Sequence, residues 1–217
     1  MKKAISEDFE SLFLRYPKLE VCKEDISKAF EILKESFAHD RKLLVCGNGG
    51  SAADSEHIVG ELMKEFKMKR KIYSDQACAM MSIDHELGKD LAENLQGALP
   101  AITLTAHSSL TTAYMNDSEP QLVFAQQING YGKKGDTFLG ITTSGNSKNV
   151  LYAAVCAKAK GLHVIGLTGQ KQNKLEKFTD VCIHVPEVET YKIQELHLPV
   201  YHSLCMMLED EFFGENK

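Results

Sequence analysis

Five short apolar runs, KLLVC (42–46), PAITL (100–104), DTFLGIT (136–142), HVIGLT (163–168) and VCIHV (181–185), are separated by segments with helical apolar spacing. Runs so short and so evenly apolar suit strands buried on both faces of a sheet. Strands that alternate with helices are joined by crossovers, and crossovers make neighbouring strands parallel. The pattern predicts an α/β chain: a three-layer αβα sandwich around a central parallel sheet, with N-terminal helices and a long C-terminal helix.

The helical segments fall into place around those strands. Residues 4–13 and 23–38 are amphipathic, the second carrying Ile26, Ala29, Phe30, Ile32, Leu33 and Phe37 at helical spacing. Further helices are expected over 51–66, up to about Met115, over 121–129, from TSGNS to Lys160, and over 189–213. Residues 65–99 break the rhythm with EFKMKRK and then DQACAMMSIDHELGKDLAENLQGAL. They read as one or two extra helices inserted within a single domain over 1–217.

Composition narrows the partners. A formal net charge of -5 leaves no basic surplus for nucleic acid. No run approaches the roughly 18 apolar residues of a membrane span, and MKKAISEDFESLF lacks the apolar core of a secretion signal. The six cysteines lie far apart without CxxC or zinc-finger spacing, and most read as buried thiols in a reducing compartment. The expectation is a cytoplasmic protein that binds neither nucleic acid nor membrane.

Two strand-to-helix junctions carry the chemistry. TTSGNSKN (142–149) places Thr142, Thr143, Ser144 and Ser147 beside Gly145 where a buried strand gives way to a helix. Helix N-termini offer unpaired N–H groups and partial positive charge, which suit a phosphate. The same residue types also serve as ordinary caps and turns. GNGGS (47–51) is a second such junction and matches neither GxGxxG nor the Walker pattern, which argues against a dinucleotide or a nucleoside triphosphate. Two junctions at the ends of parallel strands suggest one crevice.

Beyond GNGGS, His57 and Glu61 share a helical face at i, i+4, an arrangement also common on solvated surfaces. In YKIQELHLPVYH, Gln194 and His202 stand eight residues apart, roughly 80° around and about 12 Å along a helix. Helix geometry alone does not rank His202 above His197 or Glu195. Pro199 removes one helical hydrogen bond just before His202.

The segments CGNGGSAADSEHIVGEL, GITTSGNSKNV, GLHVIGLTG and IQELHLPVYH, in this order and spacing, resemble the phosphoheptose isomerases of the SIS (sugar isomerase) superfamily. The resemblance implies an aldose–ketose isomerase that converts sedoheptulose 7-phosphate to D-glycero-D-manno-heptose 7-phosphate for surface polysaccharide. It implies that Asn48, Gly49, Gly50 and Ser51 contact substrate, with Thr142, Thr143, Ser144 and Ser147 around the phosphate and Asn116 and Asp117 facing the sugar. His57, Glu61, Gln194 and His202 match a zinc-binding set with one Zn2+ per subunit, in which Glu61 and Gln194 also contact substrate. Glu61 and His202 match the proton-transfer pair. The resembled assembly is a homotetramer with active sites between subunits. The thirty or so residues of 65–99 depart from the family pattern. The alternative is a non-catalytic SIS protein that binds the replication initiator or senses sugar phosphates, which retention of the quartet disfavours.

Overall fold

A computed structural model describes residues 3–214; Met1, Lys2 and residues 215–217 of the expected 1–217 domain lie outside the described residues. Each expected strand is present: β1 Leu43–Cys46, β2 Ala101–Thr103, β3 Thr137–Ile141, β4 His163–Gly169 and β5 Val181–Val185. They form one parallel sheet in the order β2-β1-β3-β4-β5. Leu44 stands opposite Ile102 on one side and Phe138 on the other, and Ile165 pairs with Leu139 and Val181.

The helices are α1 Lys3–Arg15, α2 Lys23–Ala38, α3 Gly50–Met63, α4 Ser74–Ile83, α5 His85–Asn94, α6 Ser108–Asp117, α7 Val123–Tyr131, α8 Lys148–Ala159 and α9 Thr190–Phe213. Strand side chains alternate between two faces, and each face has its own core. Leu43, Val45, Leu139, Ile141, Ile165 and Leu167 pack with Phe30 of α2, Ile58 and Leu62 of α3, and Val200 and Leu204 of α9. Leu44, Cys46, Phe138 and Val164 pack on the other side with Ile128 of α7 and Val150, Ala153 and Ala157 of α8. The αβα sandwich is therefore present as three layers.

α3 stops at Met63, three residues short of the expected 66. Lys64 is extended, at φ -141° and ψ 175°, and the Phe66 and Lys67 amides turn instead to the Glu209 carboxylate at 2.9 and 2.7 Å. The inserted residues form two helices, α4 and α5, joined at Asp84, whose carboxylate accepts from the Leu87 amide at 2.8 Å. An antiparallel bridge between Lys71 and Gln96 closes the neck of this hairpin. Its outer side leaves Ile83, Leu87, Leu91 and Leu95 exposed.

Cys22, Cys46, Cys182 and Cys205 are buried as expected, whereas Cys78 is exposed on α4 and Cys156 is half-buried. Among the described residues no helix is long and apolar enough to cross a membrane.

Candidate active site

From β1 the chain crosses to β2 on one side, and from β2 it returns to β3 on the other. At such a reversal the connections leaving β1 and β3 diverge and open a crevice beyond their carboxyl ends. GNGGS follows β1 and TTSGNS follows β3, so the two junctions meet there. Asn48 and Asn149 tie them together by exchanging amide hydrogen bonds of 3.0 and 2.8 Å.

A cavity of about 330 Å³ lies in the crevice, lined by Asn48 to Ser51, Ile141 to Thr143, Ser147, Thr190 and Gln194. The cap residues of α3 and α8 are Gly49 and Ser147, and neither side chain caps its own helix. The Ser147 hydroxyl instead pairs with that of Thr142 at 3.0 Å. First-turn amides and these hydroxyls thus supply donors and partial positive charge suited to an anion. Ser144 does not line this cavity. It lines an adjoining one of about 190 Å³, which shares Thr143 and Thr190, and its hydroxyl accepts from the Asn146 amide at 3.2 Å.

Gln194, near the start of α9, lies so close to Gly50 that a Cβ there would stand 2.5 Å from its amide nitrogen. Glycine at this position lets α9 approach the first turn of α3. His57 comes seven residues later on α3, about 10 Å along the axis. There the two helices bring together a second group. His57 Nε2 lies 3.0 Å from Glu61 Oε1, and the rings of His57 and His202 meet edge to face with centroids 5.0 Å apart. Phe66 leans on His202 at 5.3 Å, and Lys64 Nζ reaches Glu61 Oε2 at 3.4 Å. Burial and the neighbouring His57 push the His202 imidazole below its usual range, which favours its neutral form.

The structure separates the two histidines that helix geometry left unranked. His197 is fully buried, and burial pushes its imidazole down to about 4. His202 is the one that faces the carboxylate group. Glu195 is exposed.

The hydrogen-bond pattern around His57 bears on whether a cation fits. Tyr201 donates its hydroxyl proton to Asp54 Oδ1 at 3.3 Å, and the same hydroxyl lies 3.0 Å from His57 Nδ1. The other ring nitrogen then faces the Glu61 carboxylate. His202 Nε2 is buried without a hydrogen-bond partner. Imidazole, carboxylate and imidazole are donor types suited to zinc. Among the described residues no group of three or more His, Cys, Asp or Glu side chains is placed to hold a metal ion. Gln194 stands apart from His57, Glu61 and His202 within the chain, because it lies at the other end of the α3–α9 contact.

Asn116 and Asp117 are exposed at the end of α6, bonded to each other at 2.8 Å, and line neither cavity. Four residues that the sequence reading missed belong to the site. Asn149 joins the loops, Thr190 lines both cavities, and Asp54 and Tyr201 hold His57. Asp54 lies one turn before His57 and Tyr201 precedes His202, a spacing that carries a signal only once α3 and α9 are known to touch.

Known proteins of similar fold and sequence identify the family. A profile of the SIS domain matches residues 17–97 and 77–169. The phosphoheptose isomerase of Synechocystis is 37% identical over 88% of this chain and 84% of its own, and that of Helicobacter hepaticus is 36% identical over 100% and 96%. The solved phosphoheptose isomerase of Neisseria gonorrhoeae superposes with a TM-score of 0.71 at 31% identity, over 93% of this chain and 94% of its own. That of Francisella tularensis gives 0.74 at 28% identity, over 95% and 96%. Cavity, histidine–carboxylate cluster and sheet order therefore sit in a chain that belongs to the SIS-domain family and, within it, to the phosphoheptose isomerases.

Proposed function

We propose that the chain isomerises sedoheptulose 7-phosphate to the corresponding aldose phosphate, D-glycero-D-manno-heptose 7-phosphate, for surface polysaccharide. One observation carries this reading: α3 and α9 line an anion-suited cavity at one end and hold Glu61 against His57 and His202 about 10 Å along. A seven-carbon chain with a terminal phosphate suits that separation, its phosphate at the GNGGS and TTSGNS loops and its carbonyl end at the carboxylate.

The reaction moves a proton between C1 and C2 through an enediol. Glu61 takes the proton from C1 and returns it at C2, and the neutral His202 imidazole moves the proton between the two sugar oxygens. His57, held by Tyr201 and Asp54, keeps the Glu61 carboxylate oriented. When bound, a zinc ion held by His57, Glu61 and His202 supplies Lewis-acid polarisation of the carbonyl. Gln194, the fourth member of the set that the resemblance implies, lies beside Gly50 within its own chain, and the proposed assembly is a homotetramer.

The direct test follows sedoheptulose 7-phosphate with purified protein by NMR; new aldose anomeric signals are the expected result, and an unchanged spectrum overturns the assignment. Elemental analysis is expected to find about one zinc per chain. Exhaustive chelation should lower turnover, with recovery on adding zinc, and full turnover in metal-free protein removes the Lewis-acid role.

A further inference from the structure

We propose that Arg70, with Glu209, is a positioning residue that sets Glu61 and His202 against each other; the proposal rests on the roles given to those two groups above.

α3 ends without a glycine cap, so its last carbonyls need outside donors. The Arg70 guanidinium supplies them. It donates to the Glu61 carbonyl at 2.8 Å and to the Leu62 carbonyl at 2.7 Å, while its Nε donates to Glu209 Oε1 at 2.7 Å. Both side chains of this ion pair are wholly buried. Glu209 belongs to α9, seven residues beyond His202, and also accepts from the Phe66, Lys67 and Met68 amides at 2.9, 2.7 and 3.3 Å. One planar fork therefore joins the turn of α3 that carries Glu61 to the helix that carries His202. The same carboxylate fixes the loop whose Phe66 ring lies against His202.

The charge alone does not account for this arrangement. A buried ion pair is weak support for stability, because desolvation offsets the attraction. What the guanidinium adds is three acceptors met in one plane, which an ammonium does not reproduce. Arg70 also lies at the neck of the α4–α5 hairpin, where its carbonyl accepts from the Gly97 amide at 3.1 Å. The inserted segment is thereby anchored on the helix end that bears the reacting carboxylate.

The test compares Arg70→Lys, Phe66→Leu, Lys69→Met and Glu61→Gln in the full-length protein, each checked for folding by circular dichroism and thermal melting. Arg70→Lys is expected to melt lower and to lose about tenfold or more in kcat, since a displacement of about 1 Å at reacting groups can cost about 10²-fold. KM should stay within about twofold, because the phosphate end is untouched. Phe66→Leu keeps the ion pair but loosens the packing on His202, and it should lower kcat several-fold at unchanged KM. Lys69→Met, at an exposed neighbouring position, should match the parent. A lower melting temperature with unchanged kcat in Arg70→Lys would make the pair merely structural and overturn the proposal. Should Arg70→Lys fail to fold, Phe66→Leu decides by the same criterion. Loss in Glu61→Gln alone overturns the positioning role and leaves the proposed function standing. Full turnover in Glu61→Gln overturns both.

Discussion

Glu61→Gln is expected to lower kcat by at least about 10²-fold with the fold intact. The amide keeps the size of the carboxylate and an oxygen that can accept hydrogen bonds, but it cannot hold a proton taken from carbon. His57 Nε2 at 3.0 Å and Lys64 Nζ at 3.4 Å both address the carboxylate as an anion, so the charge is built into its surroundings. His202→Ala should cost a comparable factor. His197→Ala supplies the contrast, because that ring is packed in the interior. Truncating it leaves a cavity and should lower the melting temperature, on the scale of about 2–5 kcal/mol seen for large-to-small core changes. Turnover per folded molecule should change much less than at His202. Steady-state kinetics on sedoheptulose 7-phosphate, normalised by the folded fraction, separate the two. Near-parental kcat in Glu61→Gln would sink the mechanism.

The sandwich was legible because burial on both faces leaves an unambiguous mark. Leu43 and Val45 turn to one core and Leu44 and Cys46 to the other, so the strand has no polar side to confuse the reading. The loops were legible as strand-to-helix junctions from their glycine and hydroxylated residues after a buried strand, although the same residue types also make ordinary caps and turns. The face of α9 was not. Choosing between His197 and His202 requires knowing which side meets the sheet, and a helix with buried residues most of the way round does not disclose it. Contacts between distant segments were hidden altogether. Arg70 and Glu209 are 139 residues apart, and Tyr201 and Asp54 are 147 apart; nothing local to either member marks the partner. The resemblance grouped Gln194 with His202, and the rise along α9 places Gln194 beside Gly50, at the end of α3 that follows the GNGGS loop.

Gly145→Ala is expected to raise KM for the phosphorylated ketose by tenfold or more, with a smaller effect on kcat. Gly145 has φ +62°, a conformation that costs other residues about 1–3 kcal/mol, and a Cβ there would stand 2.1 Å from Asn173 Cγ. Asn173 is poorly placed to yield. It is buried, donates to Thr168 Oγ1 at 3.3 Å and to the Lys171 carbonyl at 3.1 Å, and accepts from the Glu176 amide at 3.3 Å. The loop must move instead. Gly145 donates to the Thr142 carbonyl at 3.2 Å, so displacement carries Thr142 and its hydroxyl contact with Ser147 away from the cavity. About 1.4 kcal/mol of lost binding corresponds to each tenfold in KM where KM reflects affinity. Remote binding energy also orients the sugar, so some of the loss will appear in kcat. The discriminating measurement repeats the assay with sedoheptulose lacking the phosphate. A loop that seats the phosphate makes parent and variant equally poor on the free sugar, while the difference on the phosphorylated one is large. An equal loss on both substrates would place the effect at the reacting end, and no loss on either would remove the TTSGNS junction from phosphate binding.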